Sequence, residues 1–545
     1  MNLKMRLAVV LLIVCALALE IYAGAIDTEE RERGDDIEYV AKDTITLWYT
    51  DEALTDYLSS VALAYYESTD VHVELKLVSG LEYLETINYN SIYTDEYPDM
   101  FIVGNDSLGK AYLSGLASEI KDTEHVLTDS YFCETALNAV TYNGRHVAFP
   151  MYYETSYLLY NRTYLEQIAQ TEVLAEWYEA KEDAESADAD AGTADGAETG
   201  ADEGTADGAE TGANAEDTDG AENDADAEDS TDAESWAESL LLTEEEFLAS
   251  PEFAQRVEAR ILKLVPESIE DILNFADEYD APENVDSIFK WDVSDIFYNY
   301  FFAGDSIQIG GPAGDDPNVI DIYNENTIRC LNIYQDLNQF FSIEADATTY
   351  TGVMQEFIDG KIIFTIATTD AVAMLEKAKE EERFAYEYGV GLIPDLSDEL
   401  AAKEVSVTNC VAINGYSDKK EAASVFARYI CATYSDSLYA RTGKASACRY
   451  IPHDENPVFY TIDQAYALSV PMPKVVESSN FWVELEMCFT NIWLGDDANL
   501  TLKKLSEQIK KQVTGEDFVE EYIEIVEEEE ETYEDEGMDA GTESE

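Results

Sequence analysis

The sequence predicts an α/β protein of two lobes, joined by crossover segments and separated by a ligand cleft. Three observations carry that expectation. Residues 44–103 alternate between strand and helix patterns, a βαβ series that builds a mostly parallel sheet. The stretch from His146 to Arg162 holds one apolar strand ending at Pro150 and a second from Tyr157 to Tyr160, the form of a segment that passes between lobes. With 545 residues, 46% of them apolar, the chain has material for two or three domains with large cores.

Thr44–Thr50 alternates as a strand, and Asp51 is placed to cap a helix whose apolar face is Leu54, Tyr57, Leu58, Val61, Ala62 and Tyr65. Val71, Val73, Leu75 and Leu77 then alternate with His72, Glu74 and Lys76 as a second strand. Gly80, a short helix over 81–90 and a strand Asp99–Val103 complete the series. Ligands of such sheets gather at the carboxyl ends of strands. Those ends carry Trp48, Tyr49 and Asp51 after the first strand and Asn105, Asp106 and Ser107 after the third. The crossover stretch adds Tyr152, Tyr153 and Glu154 at the mouth of the cleft. Flat rings and a hydrogen-bond-accepting carboxylate suit a sugar ring. The same residues read equally well as a strand, a proline turn and a strand with tyrosines in the core.

A helix over 163–178 leads into residues 179–235, which carry 22 acids against one base, Lys181, and repeat a twelve-residue unit from Gly192 and again from Gly204. With no aliphatic or aromatic residue larger than Ala before Trp236, this insertion cannot offset its ordering entropy and is expected to be disordered. A calcium-binding repeat is the sharper alternative, but the spaced ligand loop with a closing Glu is missing. Helices are expected over 243–264 and from Val265-Pro266 onward. An aromatic run, Trp291–Phe302, precedes Gly310-Gly311-Pro312, and a helix covers 324–341. Lys361–Ala367 is a strand ending in Thr368-Thr369-Asp370. Strands over Tyr388–Pro394 and 405–413, an amphipathic helix over 419–432, and helices over 479–493 and 500–513 follow. Residues 516–545 hold 16 acids and no base and are expected to be unfolded.

The net charge is -84, and the remainder stays strongly acidic when both acidic stretches are set aside. Nucleic acid and anionic lipid need a basic face, so both are excluded as partners. The seven cysteines, at 15, 133, 330, 410, 431, 448 and 488, show neither a disulfide framework nor a zinc spacing. The six beyond the leader read as small buried apolar residues. No metal and no cofactor is expected. Lys4 and Arg6 precede the apolar run Leu7–Leu19, and Ala23 and Ala25 offer small residues for cleavage, so residues 1–25 read as a secretory signal. Lipidation at Cys15, with Val14 where a small residue is expected, and an uncleaved anchor over Leu7–Ile26 are the alternatives. Export to the cell surface or the medium follows in each case. Residues 26–43 form a flexible lead. Residues 44–150 and 395–446 are assigned to the first lobe, and 151–394 and 447–515 to the second.

Several motifs, in this order, resemble the extracellular solute-binding proteins of ABC importers in the maltose- and oligosaccharide-binding class. They span residues 44–178 and 262–515. The first strand with Trp48, the Asn105-Asp106-Ser107 turn with Lys110–Ile120 after it, and Phe149-Pro150 through Arg162 correspond to the first lobe and its crossover. Val265-Pro266, Gly360-Lys361 through Ala367, Gly389–Pro394, and Pro471-Met472-Pro473 before Asn480-Phe481-Trp482 correspond to the rest. The resemblance implies a two-lobed, periplasmic-binding-protein-like (type II) fold. It further implies a monomeric receptor, without catalysis, that closes over an oligosaccharide and delivers it to a membrane permease. Asp106 and Glu154 are implied to hydrogen-bond sugar hydroxyls, with Asp51 adding a further bond, while Tyr152 or Tyr153 and Trp482 stack on ring faces. The candidate ligand-binding set is Trp48, Asp51, Asn105, Asp106, Tyr152, Tyr153, Glu154, Asp370 and Trp482. This chain departs from the maltose binders at four places. Val103 and Asp370 replace tryptophans, and Ser107 and Glu486 replace arginines, which argues against maltodextrin itself and leaves a polyol ligand in place. A secreted glycoside hydrolase or lyase using a carboxylate pair is the alternative class, although 116 acids supply pairings by chance. A surface interaction protein working through the acidic insertion is the third.

Overall fold

The computed structural model describes residues 44–191, 235–449, 451, 456–475 and 480–525. The expected leader, the lead 26–43, most of the acidic insertion and the tail beyond 525 lie outside the described residues. A 10-stranded mixed sheet forms the frame. In its first half, Thr44–Tyr49 pairs in parallel with His72–Leu77 and Met100–Gly104, as the βαβ pattern predicted. The intervening helix, Thr55–Thr69, buries Tyr57, Leu58, Val61 and Tyr65 and ends where Asp70 turns to a φ of 59°. Val405–Ile413 then runs antiparallel to the third strand.

The stretch expected as strand, turn and strand is instead one strand of 14 residues, Ala148–Asn161. Its first part pairs with Val405–Ile413 as far as Thr155. From Ser156 it pairs with Ile362–Thr368, and from Leu158 also with Tyr388–Gly391. Pro150 does not end the strand because the partner's register shifts between Asn409 and Cys410, directly opposite it. A residue without an N–H is tolerated where the ladder is already irregular. One strand therefore carries both halves of the sheet. The largest buried cluster includes Phe149, Tyr152, Tyr153 and Tyr157 of this strand and takes in side chains from both halves, Leu54 and Leu375 among them.

The second half adds Ser287–Phe289 beside Ile362–Thr368 and a layer of helices. The helix expected over 163–178 runs from Arg162 to Ala191, well into the acidic segment. The helix packs on Pro251–Leu264, where Arg260 lies 2.8 Å from Glu172 and also pairs with Glu176, and its continuation is held where the Lys181 ammonium donates to the Leu242 carbonyl at 2.6 Å. Trp177 stacks on Phe247 with ring centroids 4.7 Å apart. Residues 392–404 carry the chain back to the first half, and Val470–Pro471, paired in parallel with Val405 and Ser406, begins the last departure. Helix Val458–Leu468 packs on the first-half core through Phe459, Ile462 and Tyr466. We therefore place that departure after Pro471 and not at 447. The tail also differs from expectation at its start. Residues 516–525 lack regular secondary structure, yet the Glu520 carboxylate accepts from Lys510 and Ser506 at 2.6 Å each. The Ile523 N–H donates to the Tyr323 hydroxyl at 3.0 Å while its side chain packs on the second-half core.

Asn105 ties these parts together. It is fully buried, its amide nitrogen donates to the Met472 carbonyl and its amide oxygen accepts from the Thr408 N–H, both at 2.8 Å. One side chain thus links the turn after the third strand to the return strand and the last crossing. Asn105→Ala leaves a buried N–H and a buried carbonyl unpaired, and is expected to cost about 2–5 kcal/mol of unfolding free energy in a urea titration. A loss below about 1 kcal/mol would show the brace to be dispensable.

The second crossing ends on Glu404, which is 5% exposed. Burial pushes its carboxyl from the ordinary 4.5 up to about 7. The folded state therefore holds this proton more tightly than the unfolded chain does. The contribution to stability is complete below the unfolded value and is lost as the pH rises through the folded one. Glu404→Gln should accordingly raise the thermal midpoint at pH 8 and lose that gain as the pH falls toward 4.5. A variant less stable than the parent at pH 8 would contradict the assignment.

Candidate functional site

Alternation along Ala148–Asn161 sends adjacent side chains to opposite faces of the sheet, and this separates the two tyrosines that the sequence could not tell apart. Tyr152 lines a recess of about 280 Å³ at the carboxyl ends of the first and third strands, together with Asp51, Glu82, Lys110 and Asn409. Tyr153 faces the other way. Its ring stacks on Tyr466 at 3.8 Å with an interplanar angle of 1°, and its hydroxyl donates to Asp463 at 2.5 Å. Tyr153 is a core residue and not a ligand platform.

Lys444, which sequence reasoning missed, lies behind the recess, against two of its lining residues, Asp51 and Tyr152. Its ammonium lies 2.9 Å from the Asp51 carboxylate and 3.6 Å from that of Glu154, and 5.3 Å from the centre of the Tyr152 ring. Burial acts to lower the Lys444 pKa, but Asp51 and Glu154 outweigh it and the net shift is upward, so the group stays cationic. Burial, then the charges of Asp51 and Glu154, hold the Tyr152 hydroxyl well above its usual range, and it remains a donor. Asp51 is itself fixed by capping the turn Glu52–Leu54, accepting from the Ala53 N–H at 2.9 Å. The only sequence signal for Lys444 was a lone base after Gly443, a residue that stops a short helix with a φ of 70°.

Asp106 folds back over Gly104, where an added Cβ would meet its Oδ1 at 2.6 Å. Solvent still reaches the Asp106 side chain, but crowding by protein raises its carboxyl above the usual range, against the opposing hydrogen bond from the Ser107 backbone. Asp370 stands on the second half. The Tyr350 hydroxyl donates to it at 2.9 Å, Thr368 donates as well, and Tyr350 stacks on Tyr298 at 4.7 Å. Thr368 is paired with Ser156, and Glu154 lies two positions back on the same strand. The two acidic groups therefore flank the point where the strand passes from one half-sheet to the other. The turn before Lys444 meets the helix after Asp370, since a Cβ on Gly443 would lie 3.0 Å from that of Ala373.

Three other expectations change. Trp48 is 2% exposed, in a separate small core with Phe101, and Lys76 covers its ring at 4.3 Å. Asn105 is the buried brace described above, with both amide groups committed to backbone. Trp482 is partly exposed, tilted against Tyr300 at 5.4 Å and edge-on to Phe481, and is not among the residues lining the recess. The structure thus gathers Asp51, Tyr152 and Glu154 around Lys444, with Asp370 across the switch, while Asp106 stands in the turn after the third strand, next to Ser107 of the recess wall. Among the described residues six cysteines are free, five of them buried. Among the described residues, no group of three or more His, Cys, Asp or Glu is arranged to hold a metal.

Residues 63–242 match the sequence model of a family described as bacterial extracellular solute-binding protein. No curated protein sequence matches the chain. Among solved structures, the fold is similar to that of a cyclo/maltodextrin-binding protein complexed with maltotetraose, at 16% identity and a TM-score of 0.60, over 87% of this chain and 97% of that one. It is similar to an extracellular solute-binding protein from Staphylococcus aureus in complex with maltose, at 16% identity and a TM-score of 0.60, over 86% and 98% of the two chains. A Thermus thermophilus maltotriose-binding protein is similar at 16% identity and a TM-score of 0.53, over 86% and 98%. The two-lobed fold expected from the sequence is borne out by these structures, and the match over residues 63–242 agrees with the extracellular solute-binding class that the sequence motifs resemble.

Proposed function

We propose that the chain is an exported receptor that captures a carbohydrate between its two lobes and delivers it to the membrane permease of an ABC transporter. The observation that carries this reading is the polar cluster between the recess and the switch of the crossover strand, where Asp51 and Glu154 converge on Lys444 beside the ring of Tyr152. Sugar hydroxyls can donate to both carboxylates and accept from the ammonium, while the edge of the largely buried Tyr152 ring forms the floor beneath them. Because Lys444 already balances the two acids, a neutral polyol enters without bringing a charge that must be desolvated. Asp106 adds an acceptor on the first lobe. Asp370 and Tyr350 supply contacts from the second. Both the matched family and the similar structures are binding proteins and not enzymes, and the cleft groups described act by hydrogen bonding and stacking, with no bond made or broken.

Closure is a hinge motion in which the ligand favours the closed arrangement because it contacts both lobes there. We place residues 44–150 and 405–471 in the first lobe, and the segments around them in the second. The receptor works as a monomer. Export rests on the leader and on the family match; among the described residues, no helix is long and apolar enough to cross a membrane. The similar structures carry maltose, maltotriose and maltotetraose. Val103, Ser107, Asp370 and Glu486 direct this cleft toward a different oligosaccharide.

Calorimetry of the full chain against mono- and oligosaccharides, with amino acids and polyamines as controls, should give a sugar as the tightest ligand. A tight amino-acid or polyamine ligand with no sugar binding would overturn the reading. For the best sugar, Tyr152→Ala should weaken binding by about 1–3 kcal/mol by removing the floor on which Lys444 and Asp51 are set. Unchanged affinity would place the ring outside the site. Lys444→Met should weaken the same sugar by about 1.5–3 kcal/mol, the worth of a hydrogen bond to a charged group, and should make affinity for cationic ligands rise. Equal sugar affinity in parent and variant would show that Lys444 does not contact the ligand.

A further inference from the structure

Away from the sugar cleft, a cavity of about 600 Å³ opens between the end of helix Pro251–Leu264, strand Tyr388–Gly391 and the second crossing, residues 392–404. Its walls are mostly apolar, with Tyr160, Leu262, Val265, Val390, Ile393 and Leu468 among them. Glu404 also lines it, although only 5% of this residue is exposed. Among the described residues no other side chain donates to this carboxyl. The nearest base is Lys403, the only one on the cavity wall, and its ammonium is held 3.2 Å from Asp305. The other acids of the wall are Glu267, Asp305 and Asp395, of which Asp395 accepts the Ala402 N–H at 2.8 Å. An apolar chamber is therefore combined with one deeply buried carboxyl that has no counterion.

A buried carboxylate is costly unless it is paired, and the protein meets that cost here by shifting Glu404 toward its neutral form. A ligand that supplies the missing cation removes the penalty, and one with an apolar body also covers the walls. We propose that this cavity is a second binding site, for a small organic cation with an apolar body whose ammonium pairs with Glu404. The chemistry is distinct from that of the cleft, where Lys444 already neutralises the acids, and the proposal holds whatever the cleft binds. Its walls include the second crossing and the end of the helix that precedes the third. An occupant therefore touches the segments that set the angle between the lobes.

The test uses the full chain with two probes of equal shape, 2-phenylethylammonium and its neutral isostere 2-phenylethanol, titrated by calorimetry. At pH 8 the ammonium should bind at least about tenfold tighter than the alcohol, and Glu404→Gln should abolish that preference. Between pH 8 and pH 6 the affinity for the ammonium should fall about tenfold, as Glu404 takes up its proton. Ala401 is exposed at the cavity mouth, and Ala401→Trp should weaken ammonium binding by about tenfold by blocking entry. If Glu404→Gln fails to fold, Ala401→Trp decides alone. No binding of the ammonium up to about 10 mM, a preference that survives Glu404→Gln, or affinity unchanged by Ala401→Trp would each overturn the proposal.

Discussion

Thr155 and Ser156 are neighbours on one strand, yet the first is hydrogen-bonded into one half of the sheet and the second into the other. The rest of the molecule depends on that division. The same 14-residue strand supplies a ladder to Val405–Ile413 on one side of the switch and to Ile362–Thr368 on the other. Neither half can drift without bending or breaking it. Side-chain alternation along this strand also decides chemistry, since it points Tyr152 and Glu154 toward Lys444 and Tyr153 the other way, against Tyr466. A slip of one residue would exchange these roles. The bulge opposite Pro150 holds the register where proline would otherwise interrupt it.

The acidity of the chain makes the electrostatics of the cleft more demanding than its geometry. A protein of net charge -84 has no shortage of hydrogen-bond acceptors, and a recess lined only with carboxylates would attract cations before sugars. Lys444 changes that balance by drawing Asp51 and Glu154 to a single ammonium. Elsewhere the chain leaves a buried carboxyl without such a partner at Glu404, and the two sites consequently suit opposite kinds of ligand. The start of the acidic tail follows the same principle. Glu520 is held because Lys510 and Ser506 meet it and because Ile523 three residues on has an apolar surface to cover.

The fold was legible because the signals that specify it are local and periodic. The strand alternation at 44–49 and 71–77 and the helix face from Tyr57 to Tyr65 survive in the structure nearly as read. The long strand was read as two because proline is a reliable local punctuator, and only the distant partner near Asn409 shows why it fails here. The site was less legible for a related reason. Asp51, Glu154 and Tyr152 could be placed because they end or interrupt recognisable strands. Lys444 could not, since its role comes from residues 290 and more positions away that no pattern connects to it. Trp48 and Asn105 were misread in the same way. Both stand at the ligand end of a strand, but burial turns the indole into core, and two backbone groups claim the amide.

The central claim is that the two halves joined by this strand close on a sugar held at its switch. The most direct measurement is the distance between spin labels placed at Glu82 on the rim of the recess and Glu380 on the second half, with and without a sugar shown by calorimetry to bind. The account predicts a distance distribution that moves to one shorter, narrower population when sugar is added. A distribution unchanged by a saturating sugar would contradict it, and would leave the recess as a rigid pocket on one lobe.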